Sequence, residues 1–282
     1  MDELKKQCSL CGSEKTVECI HDRFSPDNRY YRCSICGSRF SSLMTSDPNE
    51  SARFHSEVYY TPENEGPGVV PEAEAYFVAR LIELVPDGRL LDVGCGRGHW
   101  MHYIRELSSL DVEGVELSED AASYAREQHG LTVVTGDLVS ARFKDDSFEA
   151  VYLRHVLEHV TEPAAFIAEV FRILIPGGIC AVHVPNDESL TNKLKRFLYR
   201  VGYGIEYGSL FYPLHVNAFT PSSLDRFFNK AGFVERSSIT ISKAQSIYEF
   251  PRVRQDMLLY PIAMLERILG CGNLMVGWFE KR

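Results

Sequence analysis

The chain contains 282 residues, 45% of them hydrophobic and 24% charged, which is enough to bury a full globular core and leave room for a small additional module. Its formal net charge of −9 argues against a dedicated nucleic-acid binder, because phosphate contacts need a concentrated basic surface. The first residues hold no apolar signal core, and no uncharged apolar run reaches the length of a membrane span, so we expect a cytoplasmic protein.

Two short cysteine motifs, which we call knuckles, stand near the start of the chain. Cys8-Ser9-Leu10-Cys11-Gly12 recurs as Cys33-Ser34-Ile35-Cys36-Gly37, and 21 residues lie between Cys11 and Cys33. In a reducing compartment paired cysteines more often hold a metal than form disulfides, and four thiolates suit one tetrahedral zinc ion. We therefore predict a zinc ribbon over residues 1–45 with the ligands Cys8, Cys11, Cys33 and Cys36.

All four positions around such an ion are filled by cysteines, so the zinc is expected to organise folding or a docking surface rather than chemistry. Cys19 and His21 lie between the knuckles and are expected to be bystanders. The duplicated spacing makes four unrelated buried cysteines the weaker interpretation.

Residues 46–74 contain several proline and glycine breakers and little periodicity, so they are predicted to be a linker. Helical spacing begins at Tyr76 and stops at Pro86-Asp87-Gly88. This pattern predicts the helix that precedes the first strand of a larger domain.

A glycine-rich loop follows that first strand. The apolar run Leu90–Val93 carries Asp92 and leads into Gly94, Gly96 and Gly98. Glycine is needed where the backbone turns tightly against a ligand, and a helix behind the loop aims free N–H groups at an anionic group. Dinucleotide folds use G-x-G-x-x-G, so the alternating glycines indicate a different nucleotide-type ligand. The helix itself is predicted from apolar residues at Trp100, Tyr103, Ile104 and Leu107.

This loop resembles the first motif of the class I S-adenosylmethionine (SAM)-dependent methyltransferases, and four later segments match the family in order. They are Val112–Leu117, Leu131–Leu138, Phe148–Val160 and Ile173–Gly178, the last being a turn before a strand over Ile179–Val184. The resemblance implies an α/β domain over residues 75–282 with a Rossmann-like, doubly wound sheet of seven strands, and SAM as its cofactor.

The resemblance also implies which residues bind the cofactor. Glu116, at the end of the second strand, is expected to hold the ribose hydroxyls, and Asp137 to face the adenine amine. The complete expected set is Asp92, Gly94, Cys95, Gly96, Glu116, Leu117, Gly136, Asp137, Leu138 and His155. In relatives of this type an N-terminal aromatic residue often folds over the cofactor, so Tyr59 or Tyr60 either does this or packs against the domain.

Further elements continue the alternation of helices and strands. Ser118 and Thr161 are expected to cap two helices, and Thr220 begins a third. A strand over Val234–Ile241, a helix over 254–269 and an antiparallel strand over Asn273–Phe279 complete the predicted domain.

Residues 185–219 are predicted to be an insertion that covers the substrate cleft as a lid. Four basic residues alternate there with apolar ones, which predicts a basic amphipathic helix. Its basic face is either simply solvated or attracts a phosphorylated substrate or a membrane surface. The basic residues are Lys193, Lys195, Arg196 and Arg200, and their apolar neighbours are Leu194, Phe197, Leu198 and Val201.

The family's reaction is an in-line displacement at the sulfonium methyl, in which proximity and orientation supply much of the rate. An alcohol acceptor also needs a base, for which His215 is favoured and His155 and His159 are the other candidates; each could instead be a packed histidine.

His155, Glu158 and His159 would share a face if helical. Quinone-biosynthesis O-methyltransferases have a similar Glu-x-x-Glu-His metal motif, but its first position is histidine here, so a catalytic metal stays open.

Three functions are consistent with the sequence. Residues 213–220 are similar to a pattern in bacterial methyltransferases of sugars and small metabolites, which favours a small-molecule acceptor such as a sugar or nucleotide-sugar. A zinc ribbon joined to this fold also resembles certain ribosomal-RNA guanine methyltransferases, which makes an RNA acceptor the alternative. Residues 1–45 hold seven Lys+Arg against six Asp+Glu, however, and so lack the basic surface that RNA binding needs. A non-catalytic SAM-binding scaffold is the third. The acceptor atom and the oligomeric state do not follow from the sequence.

Overall fold

The computed structural model describes residues 7–43, 72–204, 207–210, 214–242 and 255–282. Most of the predicted linker, including Tyr59 and Tyr60, lies outside these ranges, as does Pro213 of the sugar-methyltransferase pattern. Among the residues described, the helices are all too short or too polar to cross a bilayer.

The N-terminal ribbon is a small antiparallel sheet. Strands β1 (Thr16–His21), β2 (Arg29–Cys33) and β3 (Arg39–Ser41) pair in that order. A two-residue strand from much later in the chain, β9 (Asn217–Ala218), pairs antiparallel with β3 and completes the sheet. The ribbon and the larger domain therefore share a sheet.

The larger domain contains the predicted seven-stranded sheet. Its strand order is β10-β11-β8-β7-β4-β5-β6, with β11 antiparallel to both neighbours and the other pairs parallel. Chain order reverses between β4 and β7, which is where open α/β sheets bind ligands at the carboxyl ends of their strands. The strands are β4 (Arg89–Val93), β5 (Asp111–Glu116), β6 (Thr132–Thr135), β7 (Phe148–Arg154), β8 (Leu174–Pro185), β10 (Phe233–Ile241) and β11 (Leu274–Lys281).

Seven helices are described, and they cover both faces of the large sheet. On one face α1, α2 and α3 pack over Leu90, Tyr152 and Trp278. On the other, α4, α6 and the ribbon's Phe40 share a continuous core with Leu91. The helices are α1 (Glu72–Leu84), α2 (His99–Leu107), α3 (Glu119–His129), α4 (Pro163–Ile173), α5 (Leu190–Arg200), α6 (Pro221–Lys230) and α7 (Gln255–Leu269).

Two of the three helix starts predicted from the sequence are found at the predicted cap residue. Ser118 caps α3 by accepting from the Ala121 N–H, and Thr220 begins α6 with a reciprocal capping box to Ser223. The prediction that Thr161 caps α4 is wrong, because the residue at that position is Glu162, whose side chain makes no cap bond. Pro163 at the first turn suffices to start this helix, since its fixed φ is already helical.

Two predicted patterns differ in detail. Helix α2 buries Met101 and Ile104, whereas Leu107 is 54% exposed, so the buried stripe is rotated toward Met101. The predicted turn Ile173–Gly178 lies largely inside strand β8 instead of before it. There Leu174 and Ile179 both pair with β7 while the residues between them form a bulge, which the positive φ of Gly177 permits.

The predicted lid helix is present as α5, but its buried face is not the apolar one. Arg196 and Tyr199 are buried, while Phe197 and Val201 are 58% and 56% exposed. The Tyr199 hydroxyl accepts from the Arg23 N–H at 2.6 Å, so α5 packs against the ribbon. Neither alternative for the basic face, solvation or attraction of a phosphorylated substrate or a membrane, fits Arg196, because its guanidinium is buried and pairs with the Asp187 carboxylate at 2.8 Å.

Candidate active site

The glycine loop lies at the carboxyl end of β4 and adopts a conformation that other residues avoid. Gly94, Gly96 and Gly98 have φ of 71°, 56° and 77°. A Cβ on Gly98 would also lie 2.6 Å from Leu131 Cδ1 and 2.9 Å from Ala125 Cβ. Glycine is therefore required both for the backbone conformation and for close packing of the loop on α3.

Glu116 ends β5 directly beside this loop. Its carboxylate accepts from the Gly96 N–H and from the Ser118 N–H, both at 2.9 Å. Burial raises the pKa of the Glu116 carboxyl, and these N–H groups oppose the rise. Each carboxylate oxygen can accept a second hydrogen bond, so the group can hold the loop and a ligand hydroxyl together.

Asp92 is buried beneath the loop, with 2% of its surface exposed. Burial raises the pKa of the Asp92 carboxyl to about 8; the nearby Arg154 opposes this rise and Glu116 adds to it. The Arg154 guanidinium stacks over the Trp100 ring at 4.9 Å from its centroid. Sequence reasoning missed Arg154, although its position at the end of β7 was a signal.

The remaining residues predicted to bind the cofactor differ in how far they are exposed to a ligand. The side chains of Cys95 and Leu138 are buried in opposite cores, so Cys95 could meet a ligand only through its backbone. Leu117 is 40% exposed, and the Gly136 N–H donates to Glu116 O at 2.9 Å. Asp137 is exposed and accepts from the Ser140 N–H at 2.7 Å.

His155 follows β7 in a strained backbone conformation, with φ of 53°. Its Nδ1 bonds Glu158 Oε1 at 2.9 Å, and its ring centroid is 4.7 Å from that of His183. Residues 155–160 form turns rather than a helix, so the predicted shared helical face is absent from this segment. His183 was missed; its signal is a polar residue within the buried strand β8.

His159 and His215 meet across the site with ring centroids 4.9 Å apart. His159 Nδ1 bonds Leu214 O at 3.0 Å, and His215 Nδ1 bonds Ser209 O at 2.8 Å. Because a carbonyl oxygen only accepts, Nδ1 carries the hydrogen in both rings, and each neutral ring has its lone pair on Nε2. A lone pair at Nε2 suits a base or a metal ligand.

Glu158 joins this pair. It is 1% exposed, and its carboxylate lies with one nitrogen of His159 and one of His215 in a group whose atoms are all within 4.8 Å of one another. The three catalytic candidates from the sequence therefore lie in one region, because His155 also contacts Glu158. The metal-type grouping differs from the predicted one, since His215 takes the place of His155.

The four knuckle cysteines also come together. Their sulfur atoms all lie within 4.8 Å of one another, with Cys8–Cys36 at 3.6 Å and Cys11–Cys33 at 3.5 Å. A tetrahedral zinc ion with bonds of about 2.3 Å needs sulfurs about 3.8 Å apart, which this cluster fits. The hydrogen bond from Cys36 holds the pKa of the Cys8 thiol well below its ordinary value.

The two bystanders between the knuckles have other contacts. His21 Nε2 lies 3.2 Å from Glu18 Oε1, and Cys19 Sγ lies 3.8 Å from Val17 O. Neither belongs to the group of four cysteines among the described residues.

Comparisons with known proteins agree with this geometry. Residues 71–237 match the family model described as a methyltransferase domain. Sterol 24-C-methyltransferase of Candida albicans is 30% identical over 165 residues, which are 55% of this chain and 43% of that protein. The chain thus spans less than half the length of this curated relative.

Solved structures share the fold. Geranyl diphosphate C-methyltransferase of Streptomyces coelicolor superposes with a TM-score of 0.58 at 16% identity, covering 85% of this chain and all (100%) of that one. Phosphoethanolamine N-methyltransferase 2 of Haemonchus contortus, in complex with SAM, superposes with a TM-score of 0.57 at 18% identity, covering 86% and 61%.

Proposed function

Because this chain belongs to the methyltransferase domain family, we propose that it is an enzyme that transfers a methyl group from SAM to a small-molecule acceptor. The observation that carries the proposal is the contact between Glu116 and the Gly96 N–H, because an acid beside a glycine loop at the switch point of the sheet suits the ribose hydroxyls of a nucleotide-type ligand. The comparisons support the family; the activity and the acceptor are our inference.

We assign the donor to the residues around that loop. When bound, SAM supplies a methyl group on a positively charged sulfur. Glu116 would hold the ribose hydroxyls, Asp137 the adenine amine, and the loop would approach the donor's amino-acid portion through backbone N–H groups. The buried Asp92 would favour a cationic ligand nearby, because an adjacent positive charge stabilises its carboxylate. Gly94, Cys95, Leu117, Gly136, Leu138 and His155 complete the proposed donor site.

We assign the acceptor to the region of His155, His159 and His215. A hydroxyl acceptor must lose its proton as the methyl group arrives, and a neutral imidazole nitrogen can take it. His215 is our preferred residue, either as that base or as the group that orients the acceptor. Its Nε2 carries a lone pair, as that of His159 also does, and His215 lies between helix α5 and the Thr220 cap of α6, on the predicted lid. Fixing the acceptor against the methyl group supplies the larger part of the rate, on the order of 7–11 kcal/mol.

The acceptor is proposed to be a sugar or nucleotide-sugar, on the strength of the pattern at residues 213–220. The relatives named above act on a sterol, geranyl diphosphate and phosphoethanolamine, so small acceptors are common among similar proteins. An RNA acceptor remains the second candidate, and a non-catalytic SAM-binding scaffold the third.

We further propose one structural zinc ion at the four knuckle cysteines. We also propose a reducing, cytoplasmic location, in which these cysteines would stay available as metal ligands. Contact between helix α5 and a membrane surface or a phosphorylated substrate stays a proposal that rests on Lys193, Lys195 and Arg200.

The function is tested with methyl-labelled SAM against a panel of nucleotide-sugars, lipid-linked sugars and RNA. We expect label in a sugar product and no label when a Glu116→Ala variant replaces the wild type at low SAM. Transfer only to RNA would favour the second candidate. SAM binding without transfer to any acceptor would favour the scaffold.

A further inference from the structure

The two cysteine knuckles are equivalent in sequence but not in their contacts. Each has a serine directly after its first cysteine, Ser9 in one and Ser34 in the other. Ser9 is half-buried, and its hydroxyl donates to Asn217 Oδ1 at 2.7 Å. Ser34 is exposed, and its backbone N–H donates to Lys15 O within the ribbon. The first knuckle alone thus provides this hydroxyl contact to Asn217.

Asn217 links that knuckle to the loop that carries the candidate catalytic groups. It is 1% exposed, and its Nδ2 donates to Val160 O at 2.6 Å. Its backbone N–H donates to Glu158 O at 3.1 Å. Both amide atoms are thus engaged, with the oxygen on the ribbon and the nitrogen on the loop 155–160.

A second path runs from the ribbon to His215. Arg39 of strand β3 pairs with the buried Asp187, whose Oδ1 accepts from the Ser209 hydroxyl at 2.9 Å. Ser209 O in turn accepts from His215 Nδ1 at 2.8 Å, the bond that sets the tautomer of that ring. Two routes of direct hydrogen bonds therefore connect the ribbon with the acceptor region.

We propose that the cysteine ribbon is a positioning element of the acceptor site, and that Ser9 and Asn217 are the positioning residues that transmit its geometry to the loop 155–160. The inference deepens the proposed methyl transfer and rests on it. It gives the ribbon a role in the reaction without placing a ribbon residue in contact with substrate.

The physical basis is the rigidity of a metal knuckle. An ion held by Cys8 and Cys11 fixes the turn between them, because in so small a module metal binding supplies folding free energy. Ser9 lies within that turn, so its hydroxyl is held at a set distance from Asn217. Loss of this bond leaves a buried carbonyl oxygen without its donor, and Asn217 can then shift together with the loop it holds.

The test compares Ser9→Ala with the matched control Ser34→Ala in the full chain, since both variants keep all four cysteines. The first readout is hydrogen exchange, which does not depend on activity. We expect the Val216 and Asn217 amides, which both donate to Glu158 O, to exchange at least about threefold faster in Ser9→Ala and at the wild-type rate in Ser34→Ala. Equal exchange in both variants and the wild type would overturn the coupling, whatever the enzyme's activity.

The second readout is kinetic. We expect Ser9→Ala to lower kcat with the true acceptor by about 10- to 100-fold, because a small misplacement of reacting groups costs that much. SAM affinity should stay at the wild-type value, and Ser9→Thr, which keeps the hydroxyl, should restore kcat. Two results in Ser9→Ala would overturn the positioning role and make Ser9 a structural contact only. One is faster hydrogen exchange with unchanged kcat, and the other is a loss of SAM affinity as large as the loss of kcat. If the wild type methylates no acceptor, the proposed function fails. The hydrogen-exchange measurement still tests whether Ser9 is coupled to the loop 155–160.

Discussion

Arg39 of the ribbon and Asp187 at the start of the insertion form an ion pair whose carboxylate is completely buried. The same carboxylate accepts from Arg196 Nη1 at 2.8 Å and from the Ser209 N–H and hydroxyl. The buried Asp187 carboxylate thus lies between two guanidinium groups from separate parts of the chain, and the partly exposed Glu188 adds a longer contact to Arg39 at 3.5 Å. Removing the carboxylate would leave both cations in a poorly solvated position.

We therefore expect Asp187→Ala to lower the free energy of unfolding by about 3–5 kcal/mol. Glu188→Ala is the comparison within the same network. This neighbour is partly exposed and pairs with Lys193 at 3.2 Å and with Arg39 at 3.5 Å, so its loss should cost no more than about 1 kcal/mol. Denaturant unfolding of both variants gives the comparison. Similar losses would show that Asp187 is not the centre of the network.

Glu116→Ala should weaken SAM binding by about 1.5–3 kcal/mol, the usual scale for a hydrogen bond to a charged group. Glu119→Ala, three residues away on the exposed first turn of α3, should leave SAM affinity unchanged. Titration calorimetry measures both. Wild-type affinity in Glu116→Ala would remove this residue from the donor site.

Stability should depend on pH through Asp92. Burial raises the pKa of its carboxyl in the folded protein to about 8, so between about pH 4 and pH 8 the folded state binds more protons than the unfolded chain. This group's contribution to stability therefore falls as pH rises through that window and is constant above it. Asp92→Asn cannot ionise, so its free energy of unfolding should rise relative to wild type, by up to roughly 1.4 kcal/mol per pH unit.

Denaturant midpoints at pH 5, 6, 7 and 8 test the Asp92 prediction, with Asp120→Asn as an exposed control that should run parallel to wild type. A constant difference between Asp92→Asn and wild type across that range would mean that Asp92 is ionised throughout.

The ribbon should contain one zinc ion per chain. Elemental analysis of protein purified without chelator should give that ratio, and Cys8→Ser should lose the metal and unfold the ribbon. Cys19→Ser should retain both, because its sulfur lies outside the four-cysteine group. A metal-free wild-type protein would refute the site.

His215→Ala should keep SAM affinity and lower turnover by about 10²- to 10⁴-fold if the residue is a general base. A smaller loss, shared with the Michaelis constant of the acceptor, is expected if it only orients a hydroxyl. His21→Ala, in the exposed part of the ribbon, is the control for histidine removal. Wild-type turnover in His215→Ala would show that His215 is neither the base nor the orienting group and only packs in the structure.

Local features of this protein were predictable from its sequence. The positive φ angles of the alternating glycines and the caps at Ser118 and Thr220 depend on residues within a few positions of one another, and both caps are present as predicted. A doubly wound sheet of seven strands was implied by the family resemblance, and the large domain contains such a sheet. Sequence patterns of this kind reflect the conformation that a short segment of backbone adopts.

Other features depended on the tertiary structure. A positive φ at His155 replaced the expected helical face with a turn, and no spacing rule signals it. The basic pattern of α5 put Arg196 on an accessible face, either solvated or attracting a ligand. The carboxylate that pairs with it in the interior, Asp187, lies outside the helix, so helical spacing does not signal this pair.

The acceptor region was decided at long range. Ser9 reaches Asn217 across 208 positions, and His159 meets His215 only because strand β9 joins the ribbon sheet beside the loop 155–160. Residue types and their spacing were enough to indicate which side chains could do chemistry and that a glycine-rich loop follows the first strand of the large domain. The tertiary structure decided which of them meet, because side-chain contacts between distant segments depend on the path of the whole backbone.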